Sequence, residues 1–148
     1  LPVKATDDKS AYFNTHAMIM NDIGRQNEAV YYWRLSSEMN KPFSAFAHRS
    51  LAEYYFQQGD FKRGYSYLNK IGDDSFAAAR KYDLMGDILL SQNNLSEAVK
   101  SYEKSLKINS GQRITLLKLI RLYEKIDPPQ AAHYKDRLKY ISSFYDLM

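Results

Sequence analysis

Four sets of positions recur along this chain at intervals of 34 to 35 residues. Ala17, Ala52 and Gly86 form one set, and Met20, Tyr55 and Leu89 a second. Ala29, Gly64 and Ala98 form the third, and Trp33, Leu68 and Tyr102 the fourth. Small residues recur in two sets and large apolar residues in the other two. A period near 34 with that alternation marks a helical repeat, in which each pair of helices buries its apolar face against its neighbours. The expected fold is therefore all-α, an array of antiparallel helix pairs with about eight helices.

The units read as residues 10–43, 45–78, 79–112 and a degenerate fourth unit with a capping helix, 113–148, within one domain spanning 1–148. In the third unit the first helix is expected from Phe76 to Ser91, with Tyr82, Met85, Gly86 and Leu89 on its buried face. Asn94 stands at an N-cap with Glu97 three residues on, a capping-box arrangement. The second helix carries Leu95, Ala98, Val99, Tyr102 and Leu106, and Asn109-Ser110-Gly111 ends it with a glycine able to turn left-handed. Asp73-Asp74 read as helix-start acids. In the second unit Gly59 turns the chain and Asp60 caps; in the first, Gly24 turns it. Pro42 fits the first turn of the following helix. In the fourth unit Ile120, Tyr123 and Ala132 keep the period, and Asp127-Pro128-Pro129-Gln130 is a strong helix start. Ala131, Tyr134, Leu138, Ile141, Tyr145 and Met148 then follow as a heptad-like seam. The recurrent small residues belong where helix axes cross closely, so Gly86→Leu is expected to unfold the array.

At these residues the chain resembles the tetratricopeptide repeat family. Tyr82, Met85, Gly86 and Leu89 occupy the aromatic, leucine, small and tyrosine places of that motif's first helix. Ala98, Tyr102 and Ser105 occupy the small, aromatic and small places of its second. Gln57–Gly64 looks like the motif's turn and Gln92–Ala98 is a near copy. The resemblance spans about residues 10–146. It departs where Pro42 is the only inter-repeat proline, where Gln26 replaces the usual turn aromatic, and in the second helix of the fourth unit. It implies a right-handed superhelix whose first helices line a concave groove, and a non-catalytic role in binding a partner protein or peptide.

Outward positions of the first helices are the candidate groove: Asn14, Met18 and Asn21; Phe46, Arg49, Glu53 and Phe56; Arg80, Asp83, Asp87 and Leu90; Leu117, Lys118 and Arg121. That mixture suits an extended or helical peptide of alternating character. Arg49→Glu and Asp87→Lys are expected to change binding and leave folding intact. Glu53 would repel a carboxylate, which argues against the clamp by which some family members hold acidic chaperone tails. A competing reading is self-association or contact with a further repeat through the apolar end of the last helix, at Tyr140, Phe144, Tyr145, Leu147 and Met148, since a terminal helix should be polar outside. A third is RNA binding by a helical repeat, which Glu53, Asp83 and Asp87 oppose.

Composition narrows the field further. The net charge is +4 over 148 residues, and no basic patch of the nucleic-acid kind accompanies it, so no nucleic acid is expected as partner. There is no cysteine, so neither disulfide nor thiolate metal site arises. That fits a reducing cytosol and a bacterial envelope equally. His16, His48 and His133 have no metal-ligand spacing, and His16 and His48 fall on or beside packed faces. No nucleophile, base and oxyanion donor assemble into a catalytic set, and no cofactor is expected. No apolar run is long enough for a membrane span. The start at Leu1-Pro2 reads as a processed or excised form of a longer protein.

Overall fold

A computed structural model describes residues 9–146. Among them are eight helices: α1 (Lys9–Asp22), α2 (Gln26–Glu38), α3 (Ser44–Gln57), α4 (Phe61–Asn69), α5 (Ala78–Ser91), α6 (Leu95–Ile108), α7 (Arg113–Ile126) and α8 (Pro128–Asp146). The chain divides after Ala77 into two compact units, one holding α1–α4 and the other α5–α8. Each contains two helix pairs.

Three of the pairs close through the same turn. A residue at positive φ, Gly24, Gly59 or Asn93, stops the first helix. The next residue then donates its N–H back across the turn: Arg25 to the Met20 carbonyl (2.8 Å), Asp60 to Tyr55 (2.8 Å) and Asn94 to Leu89 (2.9 Å). This satisfies carbonyls that a helix end leaves without partners. Each such residue is the N-cap of the second helix, and its carbonyl accepts from the small residue four positions on: Ala29, Gly64 and Ala98 at 3.0–3.1 Å. Asp60 and Asn94 add a side-chain cap to the N–H of Arg63 and Glu97. The capping box is only half formed, because Glu97 pairs with Lys100 at 2.7 Å.

The fourth pair corrects the expected register. Ala132 is exposed and Ala131 is the buried small residue, at 2%. The cap-to-small spacing is unchanged, since Asp127 O accepts from Ala131 N at 3.1 Å. The turn before it is one residue shorter. Asp127 N donates to Tyr123 O four residues back, and α8 begins directly at Pro128. Gly111 also departs from expectation: it has no positive φ. The end of α6 is satisfied instead by Gln112, whose Nε2 donates to the Ser105 carbonyl (3.2 Å) and hydroxyl (2.7 Å). Helix α5 starts at Ala78, so Phe76 lies before it, as do Asp73 and Asp74. There the Ser75 hydroxyl accepts from Ala77 N at 3.2 Å. Pro42 likewise precedes α3, its carbonyl accepting from Ala45 N.

The small positions lie at the close approaches. Ala17 and Ala52 are fully buried. A Cβ on Gly86 would fall within 3.0 Å of three ring carbons of Tyr102, and one on Gly64 equally close to Phe56. Two serines two repeat spacings apart bind the α1–α2 and α5–α6 pairs internally. Ser36 Oγ donates to Ser10 O (3.0 Å) and Ser105 Oγ to Ala79 O (2.6 Å), each spanning 26 residues. In the first unit Ala17, Ala29, Val30, Trp33, Ala47, Leu51 and Tyr55 form one core. In the second, α6 and α7 pack through Tyr102, Leu106, Leu116, Leu119 and Ile120, and Tyr134, Leu138 and Ile141 of α8 cover them.

His48 is a buried polar group in the first unit, only 4% exposed, with Nε2 unpartnered. Burial, helped by Lys70, pushes its pKa below the ordinary 6.5, against a backbone hydrogen bond at Ser37. The folded state thus binds this proton less well than the unfolded state. Its stabilising effect is full above pH 6.5 and lost as pH falls toward the depressed folded value. The expected slope is about 1.4 kcal/mol per pH unit. Urea unfolding at pH 7.5 and pH 5 should show this loss in the wild type and a flatter response in His48→Leu; equal slopes would discard the assignment.

Candidate functional site

The first-helix face of the first unit carries Met18 (58% exposed), Phe46 (39%), Arg49 and Glu53. Beside Phe46 stand two rings that the repeat period did not index. Phe43, just before α3, and Phe76, near the end of the connection that follows α4, are exposed, and the three centroids are 5.1–6.4 Å apart. Aromatic rings clustered in water form a surface that gains by taking up another apolar group. Arg49, one turn from Phe46, makes only a loose pair with Glu53 at 3.8 Å, and its buried Nε has no partner. Apolar surface beside an under-used cation suits a segment carrying a large apolar side chain next to a carboxylate.

Two residues expected on this face are turned inward. Asn14 is 5% exposed, and its Nδ2 donates to Phe43 O at 2.6 Å, so its amide ties α1 to the start of α3. Phe56 packs against Phe61 and Tyr65, in the space that Gly64 leaves open. Glycine at 64 is what admits the ring, so the side chain faces the second helix of its own pair. Asn21 is exposed at the end of α1.

In the second unit the charged positions satisfy one another. Lys118 Nζ of α7 lies 3.0 Å from Asp83 Oδ2 and 2.8 Å from Asp87 Oδ2 of α5. Thr115 Oγ1 donates to Asp83 (2.8 Å) and Tyr102 OH to Asp87 (2.6 Å). Burial pulls the Lys118 pKa down, and the hydrogen bonds to Asp87 and Asp83 more than restore it. Burial and the Asp87 carboxylate both push the Tyr102 phenol up. Asp87 therefore holds the core tyrosine, and Asp87→Lys would set a second ammonium beside Lys118. That substitution is therefore expected to disturb folding as well as binding. Arg80, Leu90 and Arg121 are exposed, and Leu117 is half-buried.

At the end of the chain Tyr140 is 79% exposed. The side chains of Phe144 and Tyr145, and residues Leu147 and Met148, lie outside the described residues. Tyr134 docks on its own unit, its ring stacked on Tyr123 at 5.5 Å, and both hydroxyls donate to Glu103. Burial and that carboxylate push the Tyr134 phenol up to about 12. Among the described residues no helix is long and apolar enough to cross a membrane, and no group of three His, Cys, Asp or Glu could hold a metal ion.

Helix pairs at a near-constant period, closed by one recurring turn and crossing at small residues, define a helical-repeat protein. The chain belongs to the tetratricopeptide repeat-like domain family, whose sequence profile matches residues 13–124. Such proteins are in general scaffolds for protein–protein contact rather than catalysts. Solved structures similar in fold include BtubC (BKLC) from P. vanneervenii, at TM-score 0.75 and 20% identity over 98% of this chain and 68% of that one. MamA is similar at TM-score 0.74 and 19% identity, over 98% and 85% of the two chains. The C-terminal part of a tetratricopeptide repeat-containing protein from Cytophaga hutchinsonii matches at TM-score 0.64 and 19% identity, over 95% of this chain and 56% of that one. No curated protein matches the chain in sequence.

Proposed function

We propose that the protein is a non-catalytic interaction module that takes a segment of a partner protein on the first-helix face of its first unit. The observation that carries this reading is the exposed trio Phe43, Phe46 and Phe76 beside Arg49. The preferred segment pairs a large apolar side chain with a nearby carboxylate. The apolar group would seat among the rings while the carboxylate pairs with the exposed end of the guanidinium. Selection of peptides from a random displayed library on the immobilised chain should enrich that pattern. Phe46→Ser and Arg49→Ala should each weaken the selected peptides about tenfold or more with the circular dichroism spectrum unchanged. Enrichment of no sequence, or equal binding by both variants, would sink the proposal.

Self-association has an observation of its own, on α1 rather than α8. Tyr12 and Ile19 of α1, and Ile23 in the turn directly after it, are 64%, 50% and 59% exposed at spacings that place them along one side. A second copy laid on this side would give a symmetric dimer. Light scattering that shows a monomer across a wide concentration series removes that reading.

A further inference from the structure

Tyr55 is 4% exposed, with its ring stacked parallel to Tyr67 at 5.6 Å. Two guanidiniums from different helices meet at this one ring. Arg34 of α2 donates from Nη2 to the phenol oxygen at 2.6 Å. Arg63 of α4 lies over the ring face, with Cζ 5.1 Å from the centroid. The Tyr55 hydroxyl, with Asp60 beside it, raises the Arg63 pKa, while Arg34 is close enough to oppose that rise, and both guanidiniums act on the same hydroxyl. Arg34 spends one N–H on the phenol, and Arg63 directs Nε to Asp60 Oδ2 at 2.9 Å. A guanidinium carries five N–H donors in a fixed fork, so most donors of both side chains remain available. Lys70 adds a third cation, 4.7 Å from the Tyr67 centroid. The opposing acids are Asp60, already engaged with Arg63, and Glu38, which faces Tyr67.

Two guanidiniums converging on one phenol are an arrangement that an anion with several oxygens completes. A carboxylate offers two oxygens, which one fork uses up. A phosphoryl group offers three oxygens and nearly two negative charges, enough to engage both forks at once. We propose that Arg34 and Arg63, converging at Tyr55, form a clamp for a phosphoryl group, separate from the peptide face at Phe46. The phosphoryl group arrives either on a phosphorylated side chain of a protein segment or as free phosphate.

The test is NMR on the full chain with labelled arginine side chains and tyrosine rings. Sodium phosphate is titrated at constant ionic strength held with sodium chloride. A phosphoserine peptide and its unphosphorylated twin are titrated in parallel. Saturable shifts are expected at Arg34, Arg63 and Tyr55. The phosphopeptide binding tighter than inorganic phosphate assigns the site to a phosphorylated segment; the reverse order assigns it to free phosphate. Arg34→Gln and Arg63→Lys should each weaken binding about tenfold, as expected for lost charge-assisted hydrogen bonds. Arg63→Lys keeps the charge and loses only the fork, at an exposed position, so it decides the matter if Arg34→Gln fails to fold. Shifts that grow linearly without saturating, that are as large at Arg49 and Arg121, or that survive Arg63→Lys unchanged would overturn the clamp.

Discussion

Gly86→Leu is expected to destabilise the second unit severely and to lower its melting temperature by well over ten degrees. Two effects compete. Leucine has a better helix propensity than glycine by somewhat under 1 kcal/mol. Against that, even the first carbon of the new side chain would lie within 3.0 Å of three carbons of the Tyr102 ring. That ring cannot swing aside, because Tyr102 is fully buried and its hydroxyl is fixed on Asp87. Inserting a full isobutyl group here should cost about 3 kcal/mol or more, against the roughly 5–15 kcal/mol that holds a domain folded. The damage spreads because Tyr102 belongs to the core shared by α6, α7 and α8. Amide-exchange protection should therefore fall across α5–α8, not in α5 alone. Gly86→Ala separates the two effects: propensity alone would stabilise, whereas the clash destabilises. Gly64→Ala is a milder control, since the Phe56 ring it meets is partly exposed and can move. A melting temperature for Gly86→Leu within a degree or two of wild type would show that the crossing is not tight.

The same residues show how far the sequence could be read. Size periodicity is sensitive to where helices cross, so Ala17, Ala52 and Gly86 were legible at once, as was the pairing of helices around them. The repeat period could not mark Ala131 as the crossing residue, although the seam of the last helix contains it, because the α7–α8 turn drops one residue while keeping the cap-to-small distance. Counting from the cap at Asp127 would have found it. Facing was harder than position. Phe56 sits at an outward-looking place on its helix, but Gly64 opposite gives its ring somewhere to go. Phe43 and Phe76 lie in the connections between pairs, where no period reaches. Arg34 and Tyr55 are 21 residues apart on helices of different pairs, and no local pattern joins them. The period does make Asp83 and Lys118 neighbours. Their mutual satisfaction depends on how two flexible side chains end, which sequence does not specify.

Lys118→Met should be the most damaging change among the surface charges. In the wild type one ammonium bridges two carboxylates, at 3.0 Å from Asp83 and 2.8 Å from Asp87. Its removal leaves those acids facing each other, with Asp83 only 19% exposed. Losing one partner of a fully buried pair costs about 3–5 kcal/mol, and the partial exposure of Asp87 screens some of that. A loss of about 2 kcal/mol at pH 7 is the expected result from urea unfolding. The pH response fixes the cause. Two uncompensated carboxylates share a site best when one is protonated, so their folded-state affinity for a proton rises above the unfolded value. A raised folded pKa stabilises at low pH and loses that effect as pH increases. The deficit of Lys118→Met should thus shrink as pH falls from 7 toward 4, whereas loss of methylene packing alone would not vary with pH. Asp83→Asn introduced into Lys118→Met removes one of the repelling charges, and should recover about 1 kcal/mol relative to the sum of the single changes. A Lys118→Met protein as stable as wild type at pH 7, or a deficit that is flat with pH, would mean that the ammonium does not hold α5 and α7 together and that Asp83 and Asp87 are open to a partner's cation.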